Sequence, residues 1–581
     1  MSLFRRGCKQ IKAASSLQPR QNSLIRSLVA VLSVAGLALP VVLSAERIRA
    51  QEASEQPRSS RSISFTLGPL IRSLRISSLQ AFVADGTVAK DLAFFFSLAS
   101  VKPEDYPRIR KALVESPDIK NPLVISRVLN TSMGESVLQN LGVGFTLLRG
   151  GNGALAIRAA LVNAAQSAEG PSVLSVFANL PANVQIRLEE ALRVAREGER
   201  VVEGTKLLVE TLEKLSNQEA FRQPTVDFST LPNPRDKGPY SYSTEEWNIT
   251  DSERARKLRV LVYKPQQTDL KKMPVVVFSH GLGSNPDDFE EGFKHLASYG
   301  YLVAAPQHPG SDDQWTKDLL RGLRREVFDI QEFKDRPADL TFVLDELERR
   351  NADTFGGRLQ LDRVAVTGHS FGGYTALALA GATINKPFLE EECEIPYGVL
   401  NVAVLLECEA LRLNAMPSGL QDPRVASVFV LNPVNRSIFG EEGLSEITVP
   451  VAFVSGSYDP ATPPALEQAD SFTWLTTPNR YWYMVEGQAH VNLTKVDPGI
   501  RDTLNSIEGL TLPSQNLISD YWRGAVIPFL DTTIRGGTTF APHLSPAFTK
   551  YMSEGKQFSV FMITDESDDD LESVIRSFRG S

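Results

Sequence analysis

The segment Gly368-His369-Ser370-Phe371-Gly372-Gly373 sets a nucleophilic hydroxyl between glycines. It lies between an apolar, β-branched run at 363–367 and a small-residue run at 374–382. A strand that turns sharply into a helix lifts a serine above the sheet, and glycines are needed around it because a Cβ would collide with the neighbouring strand or helix. Ser370 is therefore the candidate nucleophile. A serine hydroxyl attacks a carbonyl only when a base takes its proton and an acid holds that base in the right tautomer. Where such a turn carries the nucleophile, the chain order is serine, acid, histidine. Of six histidines, His280, His295, His308 and His369 precede Ser370, which leaves His490 and His543. His490 closes Glu486-Gly487-Gln488-Ala489-His490 just after an apolar run and is the candidate base, whereas His543 reads as a solvated tail residue. Asp459, in Val454-Ser455-Gly456-Ser457-Tyr458-Asp459-Pro460, follows an apolar run in a Pro-bearing turn and is the candidate acid; Asp422 precedes its run and fits poorly. Phe278-Ser279-His280-Gly281-Leu282-Gly283 ends an earlier run in a glycine turn that exposes backbone N–H groups. The expected oxyanion donors are Leu282 N–H and Phe371 N–H, with His280 and His369 shaping the two turns rather than moving protons.

Elements that could position these residues are legible around them. Short apolar runs at 258–263, 275–278, 302–305, 364–367, 425–431, 451–454 and 481–485 predict strands covered on both faces, as in a parallel sheet. Residues 335–349 and 371–382 predict two of the covering helices. This places a catalytic α/β domain at 251–535, with insertions at 307–334 and 384–424, and a C-terminal tail at 536–581. Ahead of it, Pro224, Pro232, Pro234 and Pro239 mark a linker at 216–250. Residues 62–215 read as a mainly helical accessory domain; Leu192, Val194, Val201, Val202, Leu207, Leu208 and Leu212 recur at helical spacing, and the stretch has no histidine or cysteine. A chain of 581 residues can bury more than one core.

Composition narrows the function classes. A net charge of -8, with no more than two basic residues side by side after position 50, argues against nucleic acid as a partner. No cluster of histidines and carboxylates has metal-ligand spacing, so no metal is expected. Residues 1–45 carry Arg5, Arg6, Lys9, Lys12, Arg20 and Arg26 ahead of an uncharged, apolar stretch, with no acid before Glu46. That is the layout of an export signal, cleaved near Ala45 or Ala50; an uncleaved run would instead anchor the protein at a membrane surface. Either way the folded part is expected outside the cytoplasm, periplasmic or extracellular. Once Cys8 leaves with the signal, Cys393 and Cys408 remain, and in an oxidising compartment they can pair, two buried free thiols being the alternative.

With these motifs in hand, residues 274–283, 297–308 and 368–373 resemble the secreted platelet-activating-factor acetylhydrolase and dienelactone-hydrolase-like branch of the α/β-hydrolases. The resemblance covers roughly 225–535. Residues 62–200 look like the domain of unknown function that precedes such hydrolases in exported cyanobacterial proteins, and Gly372-Gly373-Tyr374, Asn432-Pro433, Ser437-Ile438-Phe439-Gly440 and the tail from His543-Leu544-Ser545 are similar to that subgroup. Ser370 stands where dienelactone hydrolases carry a cysteine, and Asn432 stands where the acetylhydrolase carries its acid. The resemblance implies an α/β-hydrolase fold and hydrolysis of a small-molecule ester or lipid without a cofactor. Two rival readings remain: a peptidase or amidase of prolyl-peptidase type, and a non-catalytic cell-envelope binding protein on the same scaffold.

Overall fold

The computed structural model describes residues 62–579 apart from 100, 117–120, 168–169, 182, 267–271, 395–400 and 491–511. The expected export segment 1–45 lies outside the described residues. Among the described residues, no helix is long and apolar enough to cross a membrane.

Residues 62–187 are mainly helical, as expected, but they also build a four-stranded sheet in the order β2-β1-β4-β3. Its strands are β1 (Ser62–Leu67), β2 (Leu70–Arg75), β3 (Phe145–Leu147) and β4 (Val184–Arg187). Ile63, Phe65, Leu79, Phe82 and Leu92 form part of a separate core here. Two helices of this region contact the second domain, α1 (Pro122–Leu129) and α2 (Ser132–Gly144). The long helix α3 (Leu188–Arg222) then leaves it. Leu208, Leu212 and Leu215 of α3 are buried in the main core of the following domain, so this helix belongs to both halves and the boundary expected at 215/216 falls inside it.

The second domain is a nine-stranded sheet in the order β13-β12-β11-β10-β9-β7-β8-β6-β5. Each of the seven expected runs is a strand: β6 (Arg256–Pro265), β7 (Met273–Ser279), β8 (Leu302–Pro306), β9 (Leu359–His369), β10 (Val425–Leu431), β11 (Val451–Gly456) and β12 (Arg480–Val485). The strands β7 to β12 run parallel, and their residues are almost wholly buried. Helices α4 (Asp313–Arg321), α5 (Glu332–Phe355) and α6 (Phe371–Leu379) follow β8 and β9. From β7 the chain steps outward to β8, then returns to β9 on the other side of β7 and continues away through β10, β11 and β12. The carboxyl ends of β7 and β9 therefore sit side by side where the connections diverge, and a parallel sheet opens its ligand crevice at such a switch point.

The sheet extends past 251–535 at both ends. β5 (Tyr242–Asp251) comes from the expected linker and pairs antiparallel with β6. Its polar composition hides an edge strand that buries only alternate residues, Trp247, Ile249 and Asp251. β13 (Val560–Thr564) comes from the expected tail and pairs antiparallel with β12. His543 is correspondingly not solvated. It is 1% exposed, with its ring 4.6 Å from Phe548 and 5.5 Å from Phe228, and burial pushes its pKa down to about 4.

In the insertion at 384–424, α7 (Lys386–Glu394) and α8 (Val402–Cys408) are joined by a Cys393–Cys408 disulfide with a Cα–Cα distance of 5.8 Å. Its loop of about fifteen residues would stabilise by roughly 3 kcal/mol in the chain-entropy description.

Candidate active site

β9 delivers Ser370 into a left-handed turn at φ 57°, ψ -119°, and α6 starts at the next residue. A side chain bearing a Cβ is strained there, and such strain concentrates where a reactive group must be presented. The surrounding glycines are sterically required. A Cβ on Gly372 would stand 1.9 Å from Ser279 O, one on Gly368 2.1 Å from Gly372 O, and one on Gly373 2.6 Å from the Pro433 Cβ.

The turn after β7 lies against this elbow, since a Cβ on Gly281 would stand 3.3 Å from the Ser370 Cβ and 3.0 Å from His369 Nδ1. Leu282 is the next residue along that turn. Phe371 opens α6, so its N–H has no acceptor within the helix. Both expected oxyanion donors therefore belong to backbone that borders Ser370.

Beneath the turn lies a charged network that the apolar-run reading misses. Arg336, fully buried, donates from Nη1 to His280 O at 2.6 Å and from Nε to Ser311 Oγ at 2.9 Å, and its guanidinium lies 4.4 Å from the Phe371 ring centre. Glu332 pairs with both Arg336 and Arg256. Ser279 Oγ is 2.9 Å from His308 Nε2, and His308 Nδ1 is 2.9 Å from Asp339 Oδ2, so a second Ser-His-Asp chain runs from the ends of β7 and β8 to α5. All three side chains are fully buried, and Asp339 is bound by Arg254 and Arg256. Burial, and then the charges of Arg336, Arg256 and Arg254, hold the His308 pKa well below its usual value. With no access to solvent this chain supports the turn above it: His308 N–H donates to His280 Nε2 at 3.0 Å, which leaves the His280 proton on Nδ1, 2.8 Å from Gly281 O. The available signal was the spacing of Glu332, Asp335, Arg336 and Asp339, a charged stripe on the inward face of a helix.

Asp459 and His490 come together at the ends of the two strands beyond β10. Asp459 Oδ1 accepts from Ala461 N–H and Thr462 N–H, both at 2.9 Å. Its Oδ2 accepts from Thr462 Oγ1 at 2.8 Å and lies 2.7 Å from His490 Nδ1. The carboxylate is 0% exposed and the imidazole 11%. An ionised carboxylate only accepts, so the network assigns the imidazole proton to Nδ1 and leaves Nε2 with its lone pair. The two loops meet closely, because a Cβ on Gly456 would stand 2.2 Å from Gln488 O. His490 O accepts from His369 Nε2 at 2.6 Å and from Asn432 Nδ2 at 3.1 Å, while Asn432 Oδ1 accepts from Gly456 N–H at 2.9 Å. His369, next to Ser370 in the chain, has its ring centre 4.8 Å from that of His490. Burial, and then the neighbouring His490, push its pKa down to about 3, which keeps it a neutral donor. The structure thus gathers Ser370, Asp459, His490 and the Leu282 and Phe371 backbone at one end of the sheet, and puts His543 elsewhere.

Residues 276–551 match the model of the alpha/beta hydrolase family, and residues 59–187 match one described as an alpha/beta hydrolase of unknown function. The chain is an α/β-hydrolase. It is similar to the platelet-activating factor acetylhydrolase of Bos taurus, with 29% identity over 140 residues that cover 18% of this chain and 32% of that protein, so it spans about a third of the relative's length. The first matched segment ends one residue before α3. It holds none of the candidate site residues, which follow the ends of strands in the hydrolase domain. Among the described residues of the hydrolase, no group of His, Cys, Asp and Glu side chains is arranged to hold a metal ion.

Proposed function

We propose that this hydrolase cleaves carboxylic esters, lipid-like or of short to medium acyl chain, with Ser370 as nucleophile, His490 as base and Asp459 as acid. The observation that carries the reading is the buried Asp459–His490 pair at 2.7 Å, in loops beside a serine held at φ 57°. In this reading His490 Nε2 takes the Ser370 proton while Ser370 Oγ bonds to the acyl carbon. Asp459 stabilises the resulting imidazolium, and Leu282 N–H and Phe371 N–H receive the oxyanion. The alcohol departs with the proton from His490, and water, activated by the same base, releases the acid from the acyl-enzyme. A panel of p-nitrophenyl esters of graded chain length beside p-nitroanilide peptides tests the class. Ester turnover well above anilide turnover is the expected outcome; preferred anilides would make the protein a peptidase, and inertness toward both would make it a binding protein.

We further propose that the protein is exported, on the basic-then-apolar layout of residues 1–45 and the Cys393–Cys408 bridge. Disulfides persist outside the reducing cytoplasm. Intact mass spectrometry should find an N-terminus near Glu46 or Gln51 and a mass two hydrogens below the reduced value. A reduced protein that begins at Met1 would overturn this proposal.

A further inference from the structure

The two insertions are each hydrogen-bonded to backbone that borders the candidate site, one at the oxyanion turn and one at the Asp459 loop. At one side, Gly283 N–H donates to Ser311 O at 2.8 Å and Asp313 N–H to Ser284 O at 3.1 Å, which seats the start of α4 on the oxyanion turn. At the other, Ala403 N–H of α8 donates to Ala461 O at 3.0 Å, and Ala461 N–H in turn binds the Asp459 carboxylate. Each wall is thus fixed at its inner end. Their outer ends converge on the accessory domain.

Helices α1 and α2 form a stiff hairpin. Thr131 caps α2 by accepting from Gly134 N–H at 3.0 Å, donates its own hydroxyl to Val128 O at 2.7 Å, and a Cβ on Gly134 would stand 2.1 Å from Val128 O. Arg127, near the end of α1, donates to Leu320 O in the last turn of α4, where carbonyls lack helical partners. Ser132, first residue of α2, then meets both insertions at once. Its N–H and Oγ each lie 2.9 Å from Glu326 Oε2, and Oγ lies 2.7 Å from Glu409 Oε2. Arg412 joins the node by donating to Ser132 Oγ at 2.5 Å and to Glu326 Oε1 at 3.0 Å, and by pairing with Glu409. Glu326 is tied back to α4 through Trp315 Nε1, which donates to Glu326 O at 3.0 Å. Glu409 follows Cys408 directly, so the disulfide fixes its position. Partial burial penalises the Glu326 carboxylate, yet the two Ser132 donors and Arg412 outweigh that and lower its pKa.

We infer that the α1–α2 hairpin is a specificity element: through Ser132, Glu326, Glu409 and Arg412 it sets the separation of the two walls, and thereby the length of acyl chain the site accepts. The inference rests on the ester-hydrolase reading above. Neither carboxylate nor Ser132 touches the reacting groups, so these are positioning residues whose loss should redistribute selectivity rather than abolish chemistry. Arg412→Met leaves two carboxylates facing one hydroxyl with no cation, and like charges at that distance repel.

The test uses the full-length protein and compares Arg412→Met, Ser132→Ala and Arg412→Lys with the unaltered chain. For the first two, kcat/KM for long relative to acetyl p-nitrophenyl esters should shift by about fivefold, the scale of a coupled contact outside a site, through KM rather than kcat. Acetyl ester kcat and labelling by a small fluorophosphonate should stay near unaltered values. Arg412→Lys should restore most of the profile. Amide hydrogen exchange should rise together in 313–331 and 402–412. An unchanged chain-length profile, an equal loss for every ester, or exchange that rises in one wall only would overturn the inference. If the unaltered protein turns over no ester at all, the ester-hydrolase reading fails first and this inference falls with it, an outcome distinct from active variants with an unshifted profile.

Discussion

Ser370→Ala is expected to fold as the unaltered protein does, to lose fluorophosphonate labelling, and to lose turnover by at least about 10⁴-fold, because nucleophile, base and acid act as a unit. Alanine carries the same Cβ into the turn at φ 57°, so the backbone strain is unchanged and only the hydroxyl is lost. Melting temperature and circular dichroism would verify the fold, and gel fluorescence would read the labelling. An alanine variant that still takes the probe would remove Ser370 from the mechanism.

Asp459→Asn is expected to lower turnover by roughly 10³- to 10⁴-fold while the protein stays folded. An asparagine oxygen can keep the bonds from Ala461 N–H and Thr462 N–H, but its amide then points a donor at His490 Nδ1. That nitrogen must accept, the ring proton moves to Nε2, and the base can no longer take the serine proton. Asn432→Ala is expected to cost much less, about 10- to 100-fold, because Asn432 holds the backbone of His490 and Gly456 and not the imidazole. Nor should Asn432→Asp rescue Asp459→Asn, since a carboxylate at 432 would bring acceptors against the Ala489 and His490 carbonyls. Steady-state kinetics on a short ester decide between these outcomes. A larger loss in Asn432→Ala than in Asp459→Asn, or rescue by the swap, would move the acid to position 432.

The central sheet was legible in the sequence because β6 to β12 are covered on both faces, or nearly so, and therefore read as unbroken apolar runs. The elbow was legible because its glycines are forced by contacts under 3 Å, as at Gly368 and Gly372. Edge strands fail this test for a physical reason. β5 is half solvated and looks like polar linker, and β13 is a short run whose partner strand lies far back in the chain, so local pattern gives it no pairing. In the accessory sheet β3 and β4, of three and four residues, are too short for a period to emerge. Buried polar support was the least visible: Ser279, His308 and Asp339 have no motif of their own, and only the tertiary fold shows that Arg254, Arg256 and Arg336 converge on them. The Ser132 node joins residues from three separate segments, which no local pattern encodes.

The position of β13 also dictates an order of events during synthesis. Its strand pairs with β12, while Glu219 and Ser216 on α3 bind Thr564, Ser567 and Met562 across 345 to 348 residues of chain. Until residues 560–567 have emerged, the outer edge of β12 has no strand to pair with, and α3 lacks the groups that satisfy its buried glutamate. Open strand edges recruit other chains, and contacts of such long separation form slowly. A nascent or prematurely terminated chain is therefore most vulnerable to aggregation along β12, and arrival of β13 closes that edge of the sheet before the helix that carries Leu571 and Ile575 completes the core.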